Sequence, residues 1–68
     1  MDREPVSSSN LVSVGYDSTS ETLEVEFKGG VYQYYNVPQF MYDQLMQAQS
    51  IGIFFNTNIK NAYACSKV

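Results

Sequence analysis

The sequence predicts a small α+β domain: a three-stranded antiparallel meander followed by two helices packed on one of its faces, in the order β-β-β-α-α. Three observations carry this reading. Apolar residues alternate with period two through 11–17 and again through 22–28. A Gly-Gly pair at 29–30 separates the second run from a third strand-like stretch at 31–35. Beyond Pro38 the apolar period lengthens to that of a helix, twice. Layering lets each amphipathic element bury its apolar side against another.

Taken in order, residues 1–5 read as a flexible polar tail and 6–68 as one domain, since 68 residues leave little room for a second. In 11–17 the set Val12, Val14 and Tyr16 should face the core. Residues 18–21 (STSE) supply turn chemistry. In 22–28, Leu23, Val25 and Phe27 face one way and Glu24, Glu26 and Lys28 the other. With Gly29-Gly30 as a two-residue loop, Lys28 pairs with Val31, Phe27 with Tyr32, Glu26 with Gln33 and Val25 with Tyr34. Tyr32 and Tyr34 then share the inward face, and Gln33 and Tyr35 the outer one.

Asn36 is a good N-cap type and Pro38 suits a first helical turn. Val37, Phe40, Met41, Leu45 and Ala48 then form one helical stripe. Ser50 reads as the N-cap of a second helix whose stripe is Ile51, Phe54, Phe55 and Ile59, with Lys60 near its end and Asn61 as a stop. Ile53 falls off that stripe. Residues 62–67 carry a weak pattern that could add a short C-terminal strand.

Composition limits the function classes. The chain is 44% hydrophobic, 15% aromatic and 16% charged, which describes a folded domain rather than a disordered one. A domain of this size buries only about 60% of its unfolded surface. Large apolar residues therefore count as core before they count as binding groups. Net charge is −3, and the basic residues are Arg3, Lys28, Lys60 and Lys67 alone, which disfavours a large phosphate-binding footprint. A single cysteine, Cys65, excludes an internal disulfide and fits a cytoplasmic location. No secretory leader or membrane-spanning run is evident.

Catalysis is hard to build. The chain has no histidine, the commonest general base at neutral pH. Glu24 and Glu26 share a strand face that should be solvated. Cys65 has no histidine partner, and no His/Cys set has metal-ligand spacing. The sequence implies no enzyme activity, cofactor or metal.

Several stretches, in order and with consistent spacing over about residues 6–63, resemble the KTSC domain, a family named for its place at the C-terminus of some lysyl-tRNA synthetases. They are Val14-Gly15-Tyr16-Asp17, Leu23-Glu24-Val25-Glu26-Phe27, Gly30-Val31-Tyr32-Gln33-Tyr34, Asn36-Val37-Pro38, Ala48-Gln49-Ser50-Ile51-Gly52 and Phe55-Asn56-Thr57-Asn58-Ile59-Lys60. Tyr32-Gln33-Tyr34 is similar to the family's central Tyr-x-Tyr. The end departs: where members often carry Tyr-Pro-aromatic and basic residues, this chain has Tyr63-Ala64-Cys65-Ser66-Lys67. The resemblance implies a module of unknown specific function, with RNA binding suggested by the synthetase context, and a small stand-alone protein of bacterial or phage type.

Function therefore stays open between two readings. One is a non-enzymatic module for RNA or a ribonucleoprotein. The other is a protein-interaction factor, such as a phage or mobile-element accessory or inhibitor protein, or a domain that forms homodimers through an open sheet edge. Candidate ligand-binding residues are Tyr32, Tyr34, Tyr35, Ser50, Gly52, Asn58 and Lys60. Tyrosines on a sheet can stack bases, whereas inward-facing Tyr32 and Tyr34 would be core. Ser50 and Gly52 open a helix that can hold an anion or simply be capped.

Overall fold

The alternating runs do become antiparallel strands, and two short strands extend the sheet at its edges. The computed structural model describes residues 1–68. It contains β1 (Glu4–Pro5), β2 (Leu11–Asp17), β3 (Thr22–Phe27), β4 (Gly30–Tyr34), α1 (Gln39–Gln47), α2 (Ile51–Asn58) and β5 (Cys65–Lys67). The sheet thus has five strands rather than three, in the order β1-β2-β3-β4-β5, every neighbour antiparallel. Both helices lie between β4 and β5, so the chain crosses one face before it returns to pair beside β4. Residues 1–5, expected to be a loose tail, supply the edge strand β1.

The turn between β3 and β4 differs from expectation by one position. Phe27 pairs with Gly30, Val25 with Tyr32 and Leu23 with Tyr34, so the loop is Lys28-Gly29 and not Gly29-Gly30. Every partner of the β4 strand therefore moves by two residues. A shift of two preserves side-chain parity, and both tyrosines still face the helices. Gly30 carries the positive φ, 147°, and a Cβ there would approach Lys67 Cε to 2.7 Å. The flexible lysine can move, but the backbone cannot. Gly30→Ala is expected to cost about 1–3 kcal/mol, read as a lower urea midpoint with an unchanged slope.

In β2 the expected inward set holds at Val14 and Tyr16 but not at Val12. Leu11 pairs with Phe27 while Ser13 pairs with Glu26, so Val12 is the extra residue of a β-bulge. Leu11 takes the inward place, 2% exposed, and Val12 turns out to 41%.

The core gathers Leu11, Val14, Leu23, Val25 and Tyr34 from the sheet, Val37 from the connection, and Leu45, Phe55 and Ile59 from the helical layer. Asn36 is not the N-cap of α1. It adopts a left-handed φ of 59°, which asparagine tolerates, and it turns the chain so that Val37 N–H reaches Glu21 O at 2.9 Å. The helix instead starts from Pro38, without a side-chain cap. It is rotated from the expected stripe: Phe40 is 59% exposed, and Tyr42 turns inward. Tyr42 stacks on Tyr16 with ring centroids 4.9 Å apart, and the Tyr16 hydroxyl donates to Val37 O.

The second helix follows its sequence pattern more closely. Ser50 Oγ accepts from Ile53 N–H at 3.2 Å, and Ile53 is exposed as its off-stripe position implies. The helix stops at Asn58, with Ile59 as C-cap. Lys60 and Asn61 therefore lie beyond the last turn.

Candidate functional site

Two short helices cannot cover the whole inward face of a five-stranded sheet. The part left open lies toward the β3–β4 turn, and there four rings meet edge to face. Phe27 ends β3, Tyr32 and Tyr34 lie on β4, and Phe55 descends from α2. Phe27 lies 5.8 Å from Tyr32 and 5.4 Å from Phe55, and Tyr34 lies 5.3 Å from Phe55. Such geometry suits the ring quadrupoles. Phe55 and Tyr34 are buried; Phe27 and Tyr32 are half-buried. Together the rings make the floor and wall of a cleft of about 530 Å³. Asn10, Gly29, Asn56 and Lys60 complete its rim.

The electrostatics of this cleft oppose those of the whole chain. No carboxylate lines it, whereas Lys60 does. Lys67 is the cross-strand partner of Tyr32 and shares its face, with its side chain against Gly30. Lys28 sits in the turn beside Gly29. Three of the four basic residues thus gather around one end of the molecule. The fourth, Arg3, is engaged on the opposite face.

A second cavity, 330 Å³, adjoins the first. Ser7, Ser8 and Ser9 form one side of it; Ser50, Gly52 and Ile53 form the other. Ser8 Oγ fixes the loop by accepting from Asn10 N–H at 3.2 Å and Leu11 N–H at 3.3 Å. Gly52 lets loop and helix approach, since a Cβ there would meet Ser8 Oγ at 3.2 Å.

The outer face of the sheet is a closed polar network. Arg3 Nε donates to Ser13 Oγ at 3.0 Å, and the Arg3 guanidinium pairs with Glu24. Ser13 Oγ donates to Glu26 at 2.8 Å, and Gln33 Nε2 donates to Glu24 Oε1 at 2.8 Å. The Tyr35 hydroxyl bonds Gln33 Oε1 at 3.3 Å and Ser66 Oγ at 2.6 Å. Glu24, expected to be solvated, is only 6% exposed, because the N-terminal arm lies across it. The bond from Gln33 holds its carboxyl below the usual range, Arg3 adds to this, and burial opposes both.

The expected site residues therefore separate. Tyr32, Tyr34 and Lys60 line the aromatic cleft, with Tyr34 belonging also to the core. Ser50 and Gly52 line the serine-rich cavity. Tyr35 points the other way, into the outer network. Asn58 lines neither cavity and donates its amide to Phe54 O at 3.2 Å. The pattern of the sequence did not single out Asn10, Phe27, Phe55 or Lys67 as binding residues; Asn56 stood out only as part of a candidate polar rim with Asn58 and Lys60 beside α2. A strand that ends in Phe27 on the same face as Tyr32, its diagonal neighbour across the turn, is the one signal that could have found part of this set.

Acid–base chemistry has little to work with here. The buried Tyr34 phenol is pushed up to about 12, first by burial and then by Cys65, so it remains a neutral donor. No group of three or more His, Cys, Asp or Glu residues could hold a metal ion. No helix is long and apolar enough to cross a membrane.

The sequence profile of the KTSC domain matches residues 7–63. The chain belongs to the KTSC domain family. A crystal structure of a KTSC domain protein from Yersinia pestis superimposes with a TM-score of 0.96 at 43% identity, covering 98% of this chain and 96% of that one. An uncharacterised protein of Stutzerimonas stutzeri is 43% identical over 61 residues, 88% of this chain and 86% of its own. A lysine–tRNA ligase of Trichormus variabilis is 41% identical over 49 residues, 71% of this chain but 9% of the ligase. The KTSC domain is thus nearly the whole of some relatives and a small part of another.

Proposed function

We propose that this KTSC domain is a non-enzymatic binding module that takes single-stranded RNA in the aromatic cleft. The observation that carries the proposal is the coincidence of two half-buried rings, Phe27 and Tyr32, seated on the buried Tyr34 and Phe55, with Lys60 on a rim that no carboxylate lines and with Lys67 beside it. Rings accept bases of any identity by stacking, and lysines accept the backbone that joins them. The net charge of −3 counted against RNA in the sequence, but it averages over a molecule whose charges are segregated. The matching segment of a lysine–tRNA ligase supports the same ligand class. A cytoplasmic location would accord with it.

A titration with single-stranded RNA at low salt tests the proposal. Binding is expected in the micromolar range or weaker, falling with salt. Lys60→Ala should weaken it and reduce the slope of log K against log salt by about 0.7, the value for one phosphate contact on a single strand. Lys60 is exposed, so its loss should leave thermal stability unchanged. No binding at high micromolar protein contradicts the proposal.

The second reading, a protein-interaction factor, is favoured by one observation: Asp17 and Glu21 flank the turn at the end of the sheet opposite the lysines. That end could meet a basic protein surface. Co-purification of a partner that Asp17→Asn and Glu21→Gln together release would support it; a bare monomer would count against it.

A further inference from the structure

Asn10 and Asn56 line both cavities. The aromatic cleft and the serine-rich cavity are therefore two compartments of one groove, which runs along α2 with these two residues at the junction. The compartments differ in chemistry. One has rings and Lys60. The other has serine hydroxyls and Ile53, which its off-stripe position on α2 leaves 69% exposed.

We infer that the groove holds two consecutive nucleotides of a single strand, one base in the aromatic compartment and the next nucleotide in the compartment of Ser9 and Ile53. This rests on the RNA reading above and adds to it a footprint and a second compartment. The volumes of 530 and 330 Å³ suit occupants of a nucleotide's scale, the smaller not greatly exceeding one. Neither asparagine side chain makes a hydrogen bond within the protein, unlike Asn58, so both amides are free to bond the sugar or base edges that cross the junction. No carboxylate lines either compartment, so neither repels a polyanion, and Lys60 attracts one at the aromatic end. Ile53 offers an apolar surface for a base face, and the serines offer donors to the linking phosphate.

The test compares adenosine 5′-monophosphate, the dinucleotide pApA and a ten-residue oligo(A), each titrated by NMR or calorimetry at low salt. The dinucleotide should bind about tenfold more tightly than the mononucleotide, within the range one further packed base contributes. Ile53→Ala, which removes the apolar surface without adding charge, should remove that gain and leave mononucleotide affinity unchanged, because the position is exposed and outside the aromatic compartment. A thermal melt of the same variant verifies that the fold survives. Lys60→Ala should weaken all three ligands. Equal affinity for mononucleotide and dinucleotide, or a dinucleotide gain that Ile53→Ala leaves intact, overturns the two-compartment groove while the RNA reading stands. Absence of binding by all three ligands overturns both.

Discussion

Phe55→Ala is expected to leave little or no folded protein at physiological temperature. The ring is 1% exposed and sits at the meeting point of sheet and helix. It contacts Tyr34 at 5.3 Å and Phe27 at 5.4 Å between centroids, both edge to face. Truncating a buried phenylalanine costs about 3–5 kcal/mol, including the cavity that remains. A domain of this size has roughly 3–10 kcal/mol in total, by the usual stability per residue. The substitution therefore removes most of the margin. In a thermal melt followed by circular dichroism the midpoint should fall by roughly 15 °C or more, since about 1 kcal/mol shifts a small domain by 4–8 °C. A fall of only a few degrees would show that the ring is not central to the fold. Because Phe55 also forms the floor of the groove, this variant speaks to stability alone; Lys60 and Ile53 probe binding.

Arg3→Ala is expected to cost about 1–3 kcal/mol and to flatten the acid limb of the stability curve. Glu24 lies beneath the arm with its side chain 8% exposed, and Arg3 is its cationic partner. Removing one member of a buried pair leaves an uncompensated charge, which typically costs about 3–5 kcal/mol. The smaller figure follows because Arg3 is 28% exposed and Gln33 still donates to the same carboxylate. The pH dependence has a definite sign. The Glu24 carboxyl is lowered in the folded state, so its contribution is present above the ordinary carboxylate range and is lost as pH falls through the folded value. Without Arg3 the lowering diminishes, although the larger effect of Gln33 remains. Urea unfolding at neutral pH and at pH values down to about 3 should show a shallower fall in stability for the variant, starting from a lower plateau. Equal stability of the two proteins at neutral pH would mean that the arm is not held by this pair.

The arm itself shows what a single sequence conceals. A strand of two residues, one of them proline, carries no alternation to detect, and β1 is fixed by what lies under it. Gly15 makes room, since a Cβ there would approach Asp2 O to 2.4 Å. β5 left only the weak pattern at 62–67 that suggested a short C-terminal strand, because all of its residues are exposed. In contrast, β3 alternates over its whole length and was legible throughout. The direction of Tyr32 and Tyr34 was legible for a subtler reason: the turn moved by one position, every partner moved by two residues, and parity survived. Val12 was misplaced because a bulge resets parity within a strand. Phe40 and Tyr42 lie on opposite sides of Met41 around the helix, so a rotation about the axis that keeps Met41 and Leu45 inward exchanges their roles, and Tyr42 is the one that stacks on the Tyr16 ring.

The groove was legible in part only. Its tyrosines and Lys60 stood out by type. Its shape depends on how far α1 and α2 reach across the sheet, which periodicity does not encode. Core and binding surface also proved less separate than residue patterns imply, as Tyr34 belongs to both while Tyr32 is half-buried at the groove wall. Overall charge concealed the lysine rim, because Arg3 is neutralised by Glu24 and Glu26 on the far face.

The most direct examination of the binding surface is a chemical-shift map of the amide and aromatic resonances during titration with a short single-stranded RNA. Changes are expected at Phe27, Tyr32, Asn56 and Lys60, extending to Ile53 as the strand lengthens, with Gln33 and Tyr35 unmoved. Perturbations confined to Gln33, Tyr35 and their neighbours on the outer face, or none at saturating RNA, would contradict a ligand groove between α2 and the β3–β4 turn.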